Sequence, residues 1–364
     1  MNFSSKITRW YNENKRSLPW RNTSDPYRIW LSEIILQQTR IDQGTAYYHR
    51  FLEAFPDVGS LANASEEEVL KHWQGLGYYT RARNLHRTAN LVSSTFKGKF
   101  PDTYEGIIQL PGVGEYTAAA ILSIAFHKPY PVVDGNVNRV ITRVFGIHLP
   151  TDSPEGRKQI MDMAASLLDN RDPGTYNQAV MEFGALQCKP RNPDCGNCIF
   201  KSDCKAFLKG EVEKLPMKKV KPAQRYRYFY YFLFVFRSNH STKILINKRR
   251  GDDIWKNLYD FPLLEKGKKT SLKELREAGF NGLNLKNKVL KTMGNEYKHI
   301  LSHQVILARF IHVDCKEDQL AAIQKDLRIE SLIPIETRDL IHFPVSRLIE
   351  KFLEENRMIG SSGA

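Results

Sequence analysis

Glu33 lies in the run Trp30-Leu31-Ser32-Glu33-Ile34-Ile35-Leu36-Gln37-Gln38-Thr39. On a helix its neighbours three and four positions away are Ile29, Trp30, Leu36 and Gln37. A carboxyl on so apolar a face is costly to ionise, so its pKa rises and it can serve as a general acid near neutral pH. At the rim of that helix it would instead pair with Arg28 or Arg40. A second carboxyl, Asp134, stands in Val132-Val133-Asp134-Gly135-Asn136-Val137, ahead of a helical stretch over 136–145. As an N-cap it would be held ionised by backbone N–H groups and the helix dipole. A fixed anion there can also steady a cation developing on a bound sugar. Two carboxyls set apart by environment form the pattern of glycoside cleavage, one protonating the leaving group and the other supporting the oxocarbenium-like sugar.

Four of the five cysteines crowd into Cys188-x6-Cys195-x2-Cys198-x5-Cys204. Thiolates this close ligate one soft metal centre, tetrahedral zinc or an iron–sulfur cluster. Lys189, Arg191, Lys201 and Lys205 put positive charge beside them. Leu110-Pro111-Gly112-Val113-Gly114 separates two helical stretches. Its glycines permit a tight turn with exposed N–H groups at the start of the next helix, a place that favours phosphate but also serves as a plain helix–helix turn.

These groups need a scaffold, and 364 residues with 41% hydrophobic content supply two domains' worth of core. The N-terminal part, residues 1–208, reads as helices with short connections. Asp25-Pro26 is a cap and first-turn pair, Ser65 precedes three glutamates, and residues 117–126 form an alanine-rich helix. Residues 209–224, with five lysines and two prolines, read as a linker. From 225 to 355 the texture changes to β-type runs at 228–236, 244–247 and 305–313, with helices at 272–278 and 346–354: an α+β domain, followed by a tail over 356–364. The net charge of +14 suits a polyanion, nucleic acid first. Arg81, Arg83, Lys128 and the hairpin amides are candidate phosphate contacts. No run of about 18 apolar residues exists, so no membrane partner is expected. The first residues lack an apolar leader, so the expected place is the cytoplasm of a bacterial host, on its nucleoid DNA.

Leu110 to Gly114, Val133 to Val137 and the cysteine spacing together resemble the helix-hairpin-helix DNA glycosylases of the endonuclease III superfamily. Leu18-Pro19-Trp20-Arg21, the Glu33 run, Gly75-Leu76-Gly77-Tyr78-Tyr79 and the extra C-terminal domain are similar to its adenine-excising branch, the MutY family. The implied architecture is a mainly α helix-hairpin-helix glycosylase domain with an iron–sulfur module at 188–204, plus a C-terminal nudix-like (MutT-like) α+β domain. The implied activity is removal of adenine paired with 8-oxoguanine or guanine from double-stranded DNA, leaving an abasic site. Bifunctional members carry a Schiff-base lysine two residues past the second hairpin glycine, where this chain has Tyr116.

By the same resemblance Glu33 protonates the adenine and Asp134 supports the sugar, while Tyr116 and Asn136 organise the site. Arg21, Gln38, Thr39, Leu76, Tyr78, Gly112 and Gly114 contact substrate or duplex. Cys188, Cys195, Cys198 and Cys204 ligate a 4Fe–4S cluster. Ser302 and His303 match two positions of the loop that contacts 8-oxoguanine; Leu301 replaces its phenylalanine. Glu274 and Glu277 keep only an echo of the nudix metal motif, which implies recognition rather than hydrolysis in that domain. One glycosylase domain per chain is compatible with a monomer. The rival readings are a bifunctional pyrimidine glycosylase with lyase activity and a non-catalytic iron–sulfur DNA-binding protein.

Overall fold

The computed structural model describes residues 2–218, 224–238, 241–301 and 303–359. Residues group into two compact units, Met1–Asn63 with Asn84–Lys221, and Ala64–Arg83 with Pro222–Ala364.

The first unit is helical. Its helices start where the caps predict. Asp25 accepts from Tyr27 N–H (2.9 Å) with Pro26 in the first turn, and Asp172 accepts from Thr175 N–H (3.2 Å) ahead of Pro173. Asp134 caps Gly135–Phe145, which ends at Gly146 in the left-handed region (φ 66°). The helix Pro173–Leu186 packs its Ala179, Val180 and Phe183 against Val137, Val140 and Val144 of the Asp134 helix. Each large side chain in such a core holds roughly 2–5 kcal/mol that truncation to alanine would forfeit.

The stretch 209–218, expected as a linker, is packed onto this unit. Leu215 is buried, its carbonyl accepts from Arg143 Nε (3.0 Å), and Met217 O accepts from Thr151 N–H (3.0 Å). Lysine and proline content marked it as loose, whereas one apolar side chain and two long-range backbone acceptors anchor it. Residues 219–223 of that stretch lie outside the described residues, as do 360–364 of the tail.

The second unit is built on a mixed sheet. Its strands are β1 (Arg225–Arg237), β2 (Thr242–Lys248), β3 (Tyr259–Asp260), β4 (Leu263–Lys266), β5 (Leu290–Ile300), β6 (Gln304–Lys316) and β7 (Leu332–Glu336). The order is β3-β2-β1-β6-β5, with β4 also on β1 and β7 on β2. β1 and β6 run parallel over their whole length, and β5 is antiparallel to β6. One face carries Tyr230, Phe232, Phe234 and Phe236 under Leu275, Ile323 and Leu327. On the other, Phe310 stacks on Phe352 (3.7 Å) and Trp255, Leu258 and Phe261 are buried.

Residues 64–83 join this unit rather than the helices expected to surround them. Glu67 pairs with Lys248 (2.7 Å) and accepts from the Tyr259 hydroxyl (3.1 Å), and Gln74 donates to Glu350 (2.9 Å). Such polar bonds bridge more than 180 residues of sequence, and no local pattern announces them. Among the described residues no helix is long and apolar enough to cross a membrane.

Candidate active site

The helix Pro26–Leu36 turns Glu33 into the helical unit, where the residue is only 9% exposed. Arg28 turns instead to Asp25 (3.6 Å), leaving Glu33 among apolar neighbours. Burial pushes its carboxyl up to about 7; a hydrogen bond from Tyr116 opposes the rise and the nearby Asp134 carboxylate adds to it. Tyr116 sits in the first turn of Glu115–Ala125, and its hydroxyl also lies 3.6 Å from Met181 Sδ. Burial raises that hydroxyl far above its ordinary value, so it remains a protonated donor.

Asp134 is held from several sides. Its Oδ1 accepts from the N–H groups of Asn136 (2.8 Å) and Val137 (2.7 Å), and Oδ2 from Asn136 Nδ2 (2.7 Å). Asn136 is fixed in turn by Arg139 Nη2 on its Oδ1 (2.8 Å). These donors favour the anion, as expected of an N-cap. Burial outweighs them, and the net displacement of Asp134 is upward. Glu33 and Asp134 border one cavity of about 370 Å³, together with Tyr116 and Asn136.

Arg21 lines the same cavity but is committed within the protein. It forks onto Glu182 (2.9 and 2.8 Å) and donates to Arg16 O (3.0 Å). Arg16 Nε reaches the same carboxylate (2.9 Å). Burial lifts the Glu182 carboxyl, but the bonds from Arg21 and Arg16 win and bring it to about 2. Glu182, Arg16 and Gln178 were not anticipated as cavity residues. Arg16 follows the helix Phe3–Asn14, whereas Gln178 and Glu182 lie on Pro173–Leu186, more than 160 positions away, so no spacing signal existed to find them.

Gln38 and Thr39 also border the cavity. Gln38 is exposed in the left-handed region (φ 57°), a costly place for a side chain with a Cβ. In the hairpin only Gly112 needs to be glycine: its φ is +77° and a Cβ would sit 2.8 Å from Asn84. Gly114 has an ordinary φ of −97° and nothing within 4 Å of a Cβ; it caps the Tyr116 helix without a side-chain bond, leaving open backbone at that end.

In the sheet unit, Leu76 is buried while Tyr78 is 46% exposed. Ser302 lies outside the described residues. His303 is exposed and its carbonyl accepts from Arg225 N–H (3.1 Å), and Leu301 N–H closes the β5–β6 turn onto Gln304 O (2.8 Å). Glu274 spends its carboxylate on the backbone and hydroxyl of Ser271 (both 2.7 Å). The three side chains expected on phosphate have partners in the protein. Arg81 donates to Leu76 O and Gly77 O, Arg83 to Lys256 O (2.9 Å), and Lys128 pairs with Asp102 (3.3 Å). Charge type alone could not distinguish these from free cations.

All four clustered cysteines border one small cavity in the helical unit, between Arg143, Phe183 and Phe200. Phe200 N–H points at Cys198 Sγ (3.4 Å) and Arg143 Nη1 at Cys188 Sγ (3.5 Å). The bond from Phe200 favours the Cys198 thiolate, but burial outweighs it and pushes that thiol up to about 11; burial raises Cys195 and Cys204 as well. Among the described residues no three His, Cys, Asp or Glu side chains group tightly enough for a single ion. Arg139 ties this loop to the carboxyl site, since it donates to Cys188 O (2.6 Å) as well as to Asn136.

Residues 31–164 match the HhH-GPD superfamily base excision DNA repair protein family, and residues 232–355 match the NUDIX domain. An adenine DNA glycosylase of Buchnera aphidicola subsp. Acyrthosiphon pisum is 33% identical over 302 residues, covering 83% of this chain and 84% of that one. The Homo sapiens adenine DNA glycosylase is 42% identical over 222 residues, 58% of this chain and 41% of its own. A solved thermostable thymine-DNA glycosylase superposes with a TM-score of 0.53 at 31% identity, over 57% of this chain and 95% of that one. An endonuclease III trapped on DNA is alike in fold alone, with a TM-score of 0.50 and 20% identity over 58% of this chain and 94% of that one. Likeness that extends along most of both chains, helical and sheet parts alike, decides the matter: the chain belongs to the adenine DNA glycosylase family, the enzymes that cut adenine from DNA in base excision repair.

Proposed function

We propose that this enzyme removes adenine paired with 8-oxoguanine, or with guanine, and leaves an abasic site on an uncut strand. The observation that carries this reading is the facing of Glu33 and Asp134 onto one cavity, with Glu33 lifted to about 7 by burial. The adenine is extruded from the duplex at a cost of a few kcal/mol, least for a mispair. The Glu33 carboxyl gives its proton to the purine. The bond from N9 to C1′ then breaks, its electron pair goes to the base, and neutral adenine departs. Asp134 steadies the positive charge left on the sugar. Water attacks C1′ and its proton passes to the Glu33 carboxylate, restoring the acid. Tyr116 occupies the place where a lyase would hold an amine, so no Schiff base forms and the strand stays intact.

Gln38, Thr39, Leu76 and Tyr78 hold the duplex open, Gly112 and Gly114 offer hairpin amides to phosphate, and Arg21 shapes the base cavity through Glu182. Ser302 and His303 read the opposite 8-oxoguanine. Cys188, Cys195, Cys198 and Cys204 hold a 4Fe–4S cluster, which the sulfur-directed donors suit. When bound, the cluster fastens the 188–204 loop, and purified protein should yield about four irons and about four sulfides per chain. The enzyme acts as a monomer.

Single-turnover assays on adenine opposite 8-oxoguanine, analysed with and without alkali, test the reaction. Base release with strand cleavage only after alkali is expected. Efficient cleavage without alkali would instead favour the bifunctional glycosylase.

A further inference from the structure

Tyr78 is an aromatic residue held in the left-handed region (φ 49°) between Gly77 (φ 70°) and a buried neighbour, Tyr79. Such a conformation costs about 1–3 kcal/mol and persists only where its surroundings enforce it. Part of the enforcement is local. Trp73 Nε1 donates to Gly77 O (3.0 Å), and Arg81 Nη2 donates to Leu76 O (3.3 Å) and Gly77 O (3.2 Å). The Arg81 guanidinium lies over the Trp73 ring at 5.0 Å, and burial lowers it to about 10.

The rest comes from far along the chain. Tyr79 is 1% exposed; its hydroxyl donates to Val345 O (2.9 Å) and accepts from Gly75 N–H (3.5 Å). The other backbone group of Val345, its N–H, donates to Gln74 Oε1 (3.2 Å), and Gln74 Nε2 donates to the buried Glu350 (2.9 Å). Both polar groups of one peptide residue are therefore spent on the segment that carries Tyr78. Val345 leads into the helix Arg347–Glu355, whose Phe352 stacks on Phe310 of β6 and meets Tyr297 of β5 edge-on (5.9 Å). Those two strands meet in the turn that contains Leu301 and His303.

We propose that Tyr79 is a positioning residue: its hydroxyl latches the Tyr78 loop to Val345, so that engagement of the β5–β6 turn with the base opposite adenine sets Tyr78 for insertion into the duplex. The latch acts on pair discrimination rather than on bond breaking. The proposal rests on the reading of Tyr78 as the wedge and of 8-oxoguanine as the favoured opposite base.

The test uses the full chain and single-turnover rates on adenine opposite 8-oxoguanine and opposite guanine. Tyr79→Phe keeps the packed ring and removes the latch. It should cost about fivefold on the 8-oxoguanine pair, the worth of one hydrogen bond, while the guanine pair stays within about twofold. Gln74→Leu, which loosens the same junction from its other side, should act in the same direction. In the Tyr78→Ala background, Tyr79→Phe should have no further effect on the ratio. Equal losses on both pairs, the mark of a merely weakened fold, would overturn the proposal, and so would full discrimination in both single variants. A wild-type enzyme indifferent to the opposite base, or a silent Tyr78→Ala, would strike the underlying reading and the proposal with it.

Discussion

Two buried glutamates border one cavity and are driven in opposite directions: Glu33 is lifted to about 7, whereas Glu182 is brought to about 2. Both lose solvent, so desolvation is not what separates them. Glu182 receives four bonds from the Arg21 and Arg16 side chains, and the backbone N–H of Arg16 adds another (2.9 Å). Glu33 receives a neutral phenol. In the sheet unit, Asp260 supplies an intermediate case. Burial raises it to about 6 although Arg249 and Asn247 both bond it, so it stays ionised near neutrality. Within one cavity lining, therefore, one carboxyl keeps a proton available near neutral pH and the other has none. Glu33 keeps a proton to give, whereas Glu182 spends both oxygens on Arg21 and Arg16 and so holds the cavity lining in place.

The largest effect should come from removing the available proton. Glu33→Gln keeps the shape and the neutral form of the side chain but cannot transfer a proton, so base release should fall at least about a thousandfold, within the range of general-acid contributions. Binding to the mispaired duplex should persist. Unchanged turnover would take Glu33 out of the reaction and leave the contrast without functional meaning.

The two glutamates should then part in stability, with opposite signs. Glu182→Leu leaves two arginines facing a partner that has gone, and should destabilise the fold by about 3 kcal/mol in urea unfolding. For Glu33 the sign runs the other way. Its folded pKa lies above the unfolded value, so protonation stabilises the fold fully at low pH, and that contribution is lost as pH rises to about 7. Glu33→Gln escapes the loss. It should match the wild type near pH 4 and exceed it by about 3 kcal/mol above pH 7. If both variants were destabilised alike at pH 8, Glu33 would be an ordinary paired carboxylate.

How much of this was legible beforehand follows from the range of the interactions. Glu33 and Asp134 could be singled out because their peculiarities are local: an acid inside an apolar helical run, and an aspartate one residue before a helix. The hairpin was legible for the same reason, although only Gly112 proved conformationally necessary. Glu182 was invisible, because its meaning depends on arginines more than 160 positions away. The allegiance of residues 64–83 to the sheet unit and the packing of Leu215 were hidden likewise. Asp134 shows a different limit. Its capping donors are written in the sequence, but the burial that outweighs them arises only when the whole unit closes around it.

The smallest predicted effect sharpens the Glu33 side of the comparison. If the acid must be protonated, the wild-type rate should be level below pH 7 and fall about tenfold per unit above it. The hydrogen bond from Tyr116 stabilises the ionised carboxyl and so holds this limb down. Tyr116→Phe removes the hydroxyl and leaves the ring, which should carry the limb upward by less than about one unit, since a hydrogen bond to a charged group is worth about 1.5 kcal/mol or more only when well formed. Above pH 7 the variant would then retain a larger protonated fraction than the wild type, whatever its rate at the plateau. A limb that moved downward would mean that Tyr116 supports the acid form instead, and an unmoved limb would mean that burial and the Asp134 carboxylate set the proton affinity of Glu33 without the phenol.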